Sequence, residues 1–351
     1  MRRSWAGALG LALSACTGPH FELSELPEAP IAFVYRTVQE TERVQEFLEQ
    51  EQKRGGRGGP RNPLEAEARR LEQTDTNKLE IRGETLEELA GLRRPEDALR
   101  DQAGRVRFYV APASRLERVE FAPRGARPLE WSSDRGRLLF SALSGERLQL
   151  FEWLAETGEV RQLTRGESHP DGCYGPDGAL AYAESVRARN GRITSRIWVR
   201  LPGERARPVT EGPADLQPTW SPDGRRLVYA ARDRSRGEVL RWVDPANGEG
   251  GVLARGRSPV FAPDGEWIVY SARTAAGWKL WRMRPDGSGK RSFGASAFHE
   301  NDPAVSPDGR FVVFAGTKQE RSATSRLFVR PLDGTADRQL ELSGTGMLPV
   351  W

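Results

Sequence analysis

The sequence predicts an all-β fold, a six-bladed β-propeller closed by a C-terminal strand joining the N-terminal blade, and three observations predict it. First, one phrase recurs between residues 130 and 310: a short apolar stretch ending near an aromatic, a Pro-Asp-Gly-like turn, then an alternating apolar run. It is clearest in residues 220–229, 261–270 and 305–314. Second, the residues just before each turn are Trp131, Tyr174, Trp220, Phe261, Val305 and Trp351, spaced 41 to 46 residues apart. That is the length of a four-stranded blade. Third, both ends carry partial copies. Leu348-Pro349-Val350-Trp351 matches residues 217–220 as a first strand, while residues 30–36 read as a second strand lacking its first. Sharing one blade between the two ends removes an open sheet edge.

Residues 1–15 read as an export signal. Arg2 and Arg3 precede an apolar run from Trp5 to Leu13, and Leu13-Ser14-Ala15-Cys16 follows with small residues at a cleavage point. This tetrapeptide resembles the lipobox of bacterial lipoproteins. The resemblance implies lipidation of Cys16 and a tether over residues 16–29, anchoring the chain to a membrane without spanning one. Thr17 stands where that class carries an Asp for inner-membrane retention, so the expected location is the periplasmic face of the envelope, at the outer membrane. Cys173 would then be the remaining thiol, and no intramolecular disulfide can form.

Residues 30–37 supply the first-blade strand and residues 105–351 the remainder of the propeller. Between them, residues 38–104 do not fit the repeat. They are dense in Glu, Arg, Leu and Ala, with helical spacing in Thr41 to Glu51, Pro63 to Gln73 and Thr85 to Leu92, interrupted by a Gly-rich run at residues 55–60. A charged insertion of short helices and flexible loop is expected.

Within each repeat the turn chemistry is apt: Pro presets φ, Asp bonds the local backbone and Gly accepts positive φ. Two copies are worn. Residues 132–136 lack the Pro, and the copy at Tyr174 reads as shortened in its second strand. Third strands carry Trp153, Trp198, Trp242, Trp281 and Phe328, expected as blade-to-blade core. Cys173 takes the place of Thr219, Val260 and Ala304, as a packed small residue would.

These phrases are similar to the repeats of the TolB-like, WD40-like β-propellers, over residues 30–36 and about 106–351. The resemblance implies an interaction platform; the α/β domain that precedes the TolB propeller has no counterpart in this sequence.

Loops entering each first strand surround one mouth of a propeller channel. The polar residues there are His169, Asp171, Asp215, Gln217, Ser258, His299, Glu300, Asn301 and Asp302, and all of them except Ser258 are taken as the candidate binding residues. No metal-ligand spacing, calcium loop, nucleophile elbow or phosphate loop is present in the sequence. No catalytic residue, metal or cofactor is therefore assigned. The formal charge of +4 falls to about +2 without the signal, and acidic and basic residues are interspersed, which gives nucleic-acid binding no support. The expected partners are an envelope protein or cell-wall polymer, with the membrane reached through the lipid. The competing expectation is a glycan-acting hydrolase or lyase using the mouth carboxylates.

Overall fold

The computed structural model describes residues 21–39, 41–42, 44–46, 105–110, 115–118 and 126–351, the last stretch without residues 146, 188, 190–192, 234, 295, 319–321, 323, 335, 341 and 343. Cys16 and nearly all of the 38–104 insertion lie outside the described residues. Of the insertion, residues 38–39, 41–42 and 44–46 are helical.

The strands are β1 (Ile31–Arg36), β2 (Arg105–Val110) and β3 (Arg115–Arg118); β4 (Arg127–Trp131), β5 (Arg137–Ser144), β6 (Arg147–Leu154) and β7 (Val160–Gln162); β8 (Gly172–Tyr174), β9 (Leu180–Arg187), β10 (Ile193–Arg200) and β11 (Arg207–Pro208). There follow β12 (Leu216–Trp220), β13 (Leu227–Asp233), β14 (Gly237–Val243) and β15 (Gly250–Arg255); β16 (Arg257–Phe261), β17 (Ile268–Thr274), β18 (Gly277–Met283) and β19 (Arg291–Ser292); then β20 (His299–Val305), β21 (Phe311–Thr317), β22 (Arg326–Pro331), β23 (Arg338–Gln339) and β24 (Thr345–Val350). They pair as four-stranded sheets, five from consecutive strands and one in the order β24-β1-β2-β3. In that last sheet Ala32 faces Val350 and Tyr35 faces Gly346, antiparallel.

The arrangement is that of a β-propeller. The first strands touch in sequence, β4 to β8, β12, β16, β20 and β24, and β24 touches β4. They therefore surround a common axis. The hydrophobic core is divided into seams, each shared by two adjacent sheets. Val228, Ala230 and Leu240 pack against Ile268, Tyr270 and Met283, while Leu227, Tyr229 and Val239 pack against Ala181, Ala183 and Ile197 on the other side. Residues of one second strand thus alternate between two seams. This is why those strands read as nearly continuous apolar runs, buried on both faces.

The turns follow from side-chain chemistry that the Pro-Asp-Gly pattern captures in part. Ser221 Oγ donates to Asp223 Oδ1 at 2.6 Å and accepts the Arg226 amide at 2.9 Å. Ser306, Asp308 and Phe311 repeat the arrangement, as do Ser132, Asp134 and Arg137. Gly224, Gly265 and Gly309 each hold the left-handed corner at φ 71°. In the copy lacking Pro, Arg135 holds that corner at φ 60°, a conformation costing a non-glycine residue about 1 kcal/mol. The Tyr174 copy corrects one expectation: its second strand, β9, has eight residues and is not shortened. The irregularity lies in the turn instead, where Pro176–Gly178 form a 3-10 turn with Asp177 at φ 53°.

Because the sheets are antiparallel throughout, turns between first and second strands share one end of the molecule with turns between third and fourth strands. Hairpins between second and third strands, and the links to the next sheet, lie at the other end, the mouth end. The N-terminal segment packs near the turn end: the Phe21 ring lies tilted against Phe311 and Arg310 donates to the Glu25 carbonyl at 2.9 Å. Among the described residues no helix is long and apolar enough to cross a membrane.

Candidate functional site at the channel mouth

The innermost strands expose a backbone edge to the axis, and buried amides on such an edge need partners. Each of β12, β16 and β20 is interrupted by a register shift at its mouth end. At the break sit Gln217, Ser258 and Asp302, all in the left-handed region at φ 54°, 50° and 50°. Leu348 occupies the same position in β24, at φ 49°. Such a kink turns one amide out of the ladder and re-aims the side chain.

The freed groups bond from sheet to sheet. Asp171 Oδ2 accepts the Gln217 amide at 3.4 Å, Gln217 Oε1 accepts the Ser258 amide at 2.9 Å, and Ser258 Oγ donates to Asp302 Oδ1 at 3.3 Å. Beside them Arg257 donates to Asn301 Oδ1 at 2.7 Å while its guanidinium stacks on Trp278. Asp171, Gln217, Ser258, Asn301 and Asp302 are all partly exposed. Four consecutive sheets are stitched at the mouth by the candidates Asp171, Gln217 and Asp302 together with Ser258.

The other candidates sit deeper. His169, Asp215 and Glu300 are 2, 5 and 1% exposed, and each turns into a seam. Glu300 accepts the Leu280 amide at 2.7 Å and the Ser296 hydroxyl at 2.7 Å, and it pairs with Arg330 at 2.7 Å. Arg330, fully buried, also pairs with Asp337 and donates to the Phe293 carbonyl. Desolvation is the largest single influence and lowers its pKa, but hydrogen bonds and charge from Asp337 and Glu300 together outweigh it, so the net shift is upward. His169 Nδ1 lies 3.0 Å from Gln149 Oε1, an oxygen that can only accept, so this nitrogen carries the proton. Burial lowers the His169 pKa to about 4. Its Nε2 faces Glu184 at 3.5 Å, but with a neutral imidazole this is no ion pair; the Glu184 carboxyl is itself shifted upward, chiefly by desolvation. Asp215 accepts the Gly212 amide at 2.9 Å, and burial raises its pKa. His299 accepts the Trp278 amide through Nδ1 at 3.3 Å.

Sequence reasoning missed a polar group at the opposite end of the first strands. Glu130 stands where the other repeats have Cys173, Thr219, Val260, Ala304 and Val350, and that break in an otherwise small or apolar column was the available signal. Its Oε2 accepts the Tyr174 amide of the next sheet at 2.5 Å. Burial pushes its pKa to about 7 against the lowering pull of that amide and of Arg135. Tyr174 in turn donates its hydroxyl to Glu152 at 3.1 Å, which Arg137 also contacts. Cys173 is a buried free thiol whose pKa is raised well above the ordinary value, first by burial and then by Glu130.

Among the described residues, no group of three His, Cys, Asp or Glu side chains is placed to hold a metal ion. A cavity of about 380 Å³ opens away from the stitched residues, lined by Val38, Thr41, Arg326, Leu340 and Thr345.

No family model matches the chain, and no curated protein matches it. Among solved structures it is similar to a protein assigned as TolB from Agrobacterium tumefaciens, at 24% identity and TM-score 0.55, over 67% of this chain and 87% of that one. It is similar also to TolB from Acinetobacter baumannii, at 17% identity and TM-score 0.58, over 70% and 62% of the two chains. The hydrazine synthase of Kuenenia stuttgartiensis gives 10% identity and TM-score 0.60, over 93% of this chain and 47% of that one. These likenesses show the fold, a TolB-like β-propeller.

Proposed function

We propose that the chain is a non-catalytic envelope lipoprotein, lipidated at Cys16 and held on the periplasmic side of the outer membrane. Its propeller, six-bladed and closed by β24 on β1, serves as a binding platform for a protein or envelope polymer. The β24–β1 pairing and the contact of β24 with β4 support the closure. TolB-like propellers among the structural neighbours support the scaffold.

The observation that carries the non-catalytic reading is the dispersal of the mouth carboxylates. Asp171 and Asp302 stitch separate sheets, Asp215 holds its own loop, and Glu300 is enclosed with Arg330. A glycosidase needs two carboxyls facing one bond across a pocket. Here they are engaged in different contacts, so the enzyme reading is not favoured.

Photocrosslinking from positions 217 and 258 in whole cells tests the platform. Capture of a discrete envelope component is expected at these positions and not at exposed turn-end positions such as 204 and 249. Equal capture from both ends of the propeller, or turnover of an envelope glycan by the purified full chain, would overturn it.

A further inference from the structure

The N-terminal segment is fastened to the turn end before the first strand begins. Phe21 and Leu26 are both 5% exposed and share a seam with Ile31, Phe311, Val329 and Trp351, and Ala29 packs against the same seam. The Phe21 carbonyl accepts Arg338 at 3.0 Å, the Glu25 carbonyl accepts Arg310 at 2.9 Å, and Glu22 pairs with Arg338 at 3.1 Å. A 3-10 turn over Leu23–Glu25 closes the segment, with the Glu22 amide donating to Glu25 Oε1 at 2.7 Å. The stretch from Phe21 to Ala29, expected from the sequence as part of a tether over residues 16–29, is therefore held on the propeller.

This docking shortens the tether. From Cys16 to Phe21 there are five residue steps, which reach about 17 Å when fully extended. Phe21 lies against Phe311, the first residue of β21, with ring centroids 5.2 Å apart. β21 then runs to Thr317, roughly 20 Å further on at ~3.3 Å per residue, and the mouth hairpin lies beyond that. A lipid on Cys16 can reach a membrane under the turn end but not one lying over the mouth.

We infer that the turn end of the propeller faces the anchoring bilayer, with lipid headgroups as its partner, and that the channel mouth opens away from it. This rests on the lipidation of Cys16 proposed above and adds the face that meets the membrane. Insertion into the interface needs apolar anchors. At the turn end the exposed residues include Glu204, Arg205, Asn247, Glu249 and Lys290. Among the described residues the exposed large hydrophobics are Val38 and Val186 near the mouth and Val252 on the outer strand β15, so the turn end rests on headgroups without inserting. Held this way, Gln217 and Ser258 look into the aqueous space beyond the membrane surface. A partner of the mouth arrives from that side and not from within the bilayer.

The test uses the full chain, lipidated in cells, purified and reconstituted on vesicles of phosphatidylethanolamine and phosphatidylglycerol that carry an acceptor dye on their headgroups. A donor dye is placed on single cysteines. Glu204→Cys and Glu249→Cys lie at the turn end on sheets remote from the N-terminal segment, and Arg236→Cys and Ala276→Cys lie on mouth hairpins. Cys173 is buried and stays unlabelled in native buffer. Turn-end donors are expected to be quenched about twofold more than mouth donors. A flexible Gly-Ser linker of about 24 residues inserted between residues 20 and 21 adds roughly 25 Å of reach, and it is expected to erase the difference while thermal melts stay unchanged. Equal quenching from the two ends, stronger quenching at the mouth, or a difference that survives the long linker overturns the inference. Mass spectrometry of the N-terminal peptide tells the two failures apart. A lipidated Cys16 with equal quenching removes the orientation alone, whereas an unmodified Cys16 removes the anchor and the orientation with it.

Discussion

Replacing Glu130 by Gln removes an ionisable group whose folded-state pKa stands at about 7 against an ordinary 4.5, raised mainly by burial. A carboxyl with a raised pKa contributes its full share to stability below pH 4.5 and loses it as pH climbs through about 7. A tenfold change in proton affinity corresponds to ~1.36 kcal/mol, so the native state gives up about 3 kcal/mol on going from pH 4 to pH 8 at this one position. The Gln variant keeps an oxygen to accept the Tyr174 amide and has no such dependence. Its stability relative to wild type should therefore climb with pH, from near parity at pH 4 to an advantage of about 3 kcal/mol at pH 8. Urea midpoints followed by tryptophan fluorescence at several pH values read this directly, provided the denaturant slope is unchanged. Taking the difference between variant and wild type cancels every other titrating group. A difference that stays flat across the range, or that favours the wild type above pH 7, would refute the assignment of a raised pKa to Glu130.

His169 titrates in the opposite sense: its pKa lies near 4 rather than 6.5, so the stability it supplies is present above pH 6.5 and lost as pH falls towards 4. Compared with His169→Gln, wild-type urea midpoints should drop over that window by about 3 kcal/mol in equivalent free energy. Between pH 4.5 and 6.5 the Glu130 and His169 trends oppose each other, so each single variant should show a steeper profile than the wild type. Arg330→Met should cost about 3–5 kcal/mol in denaturant titrations, because Glu300 is left with a buried charge and no cation; the double change with Glu300→Leu should recover much of it. Cys173, with its raised pKa and 3% exposure, should resist a thiol reagent in native buffer and react at once in denaturant.

The repeat was legible because its turns impose residue types. Asp223 and Gly224 meet hydrogen-bonding and φ requirements that few other side chains satisfy. Arg135 shows the limit: it holds the corner where other copies have glycine, and the pattern alone placed the glycine one residue late. The mouth candidates were read as one set because each lies just before the end of a first strand in its repeat. A regular strand would turn Glu300 and Asp302 to the same face. The left-handed residue at position 302 breaks that alternation and leaves Asp302 at the axis while Glu300 enters a seam. Arg330, thirty residues downstream of the glutamate it neutralises, gave no local sign of its role, since long-range pairing has no periodic signature.

The stitched mouth also bears on how a ligand would be recognised. Asp171, Gln217, Ser258 and Asp302 already bond one another across sheets, so the backbone of the throat is preorganised and loses little freedom on binding. The same bonds occupy polar atoms that a ligand would otherwise use. A partner entering the throat must compete with them for those atoms. Rigid at the axis, the propeller favours recognition spread over several sheets. Such recognition weakens gradually as single contacts are removed.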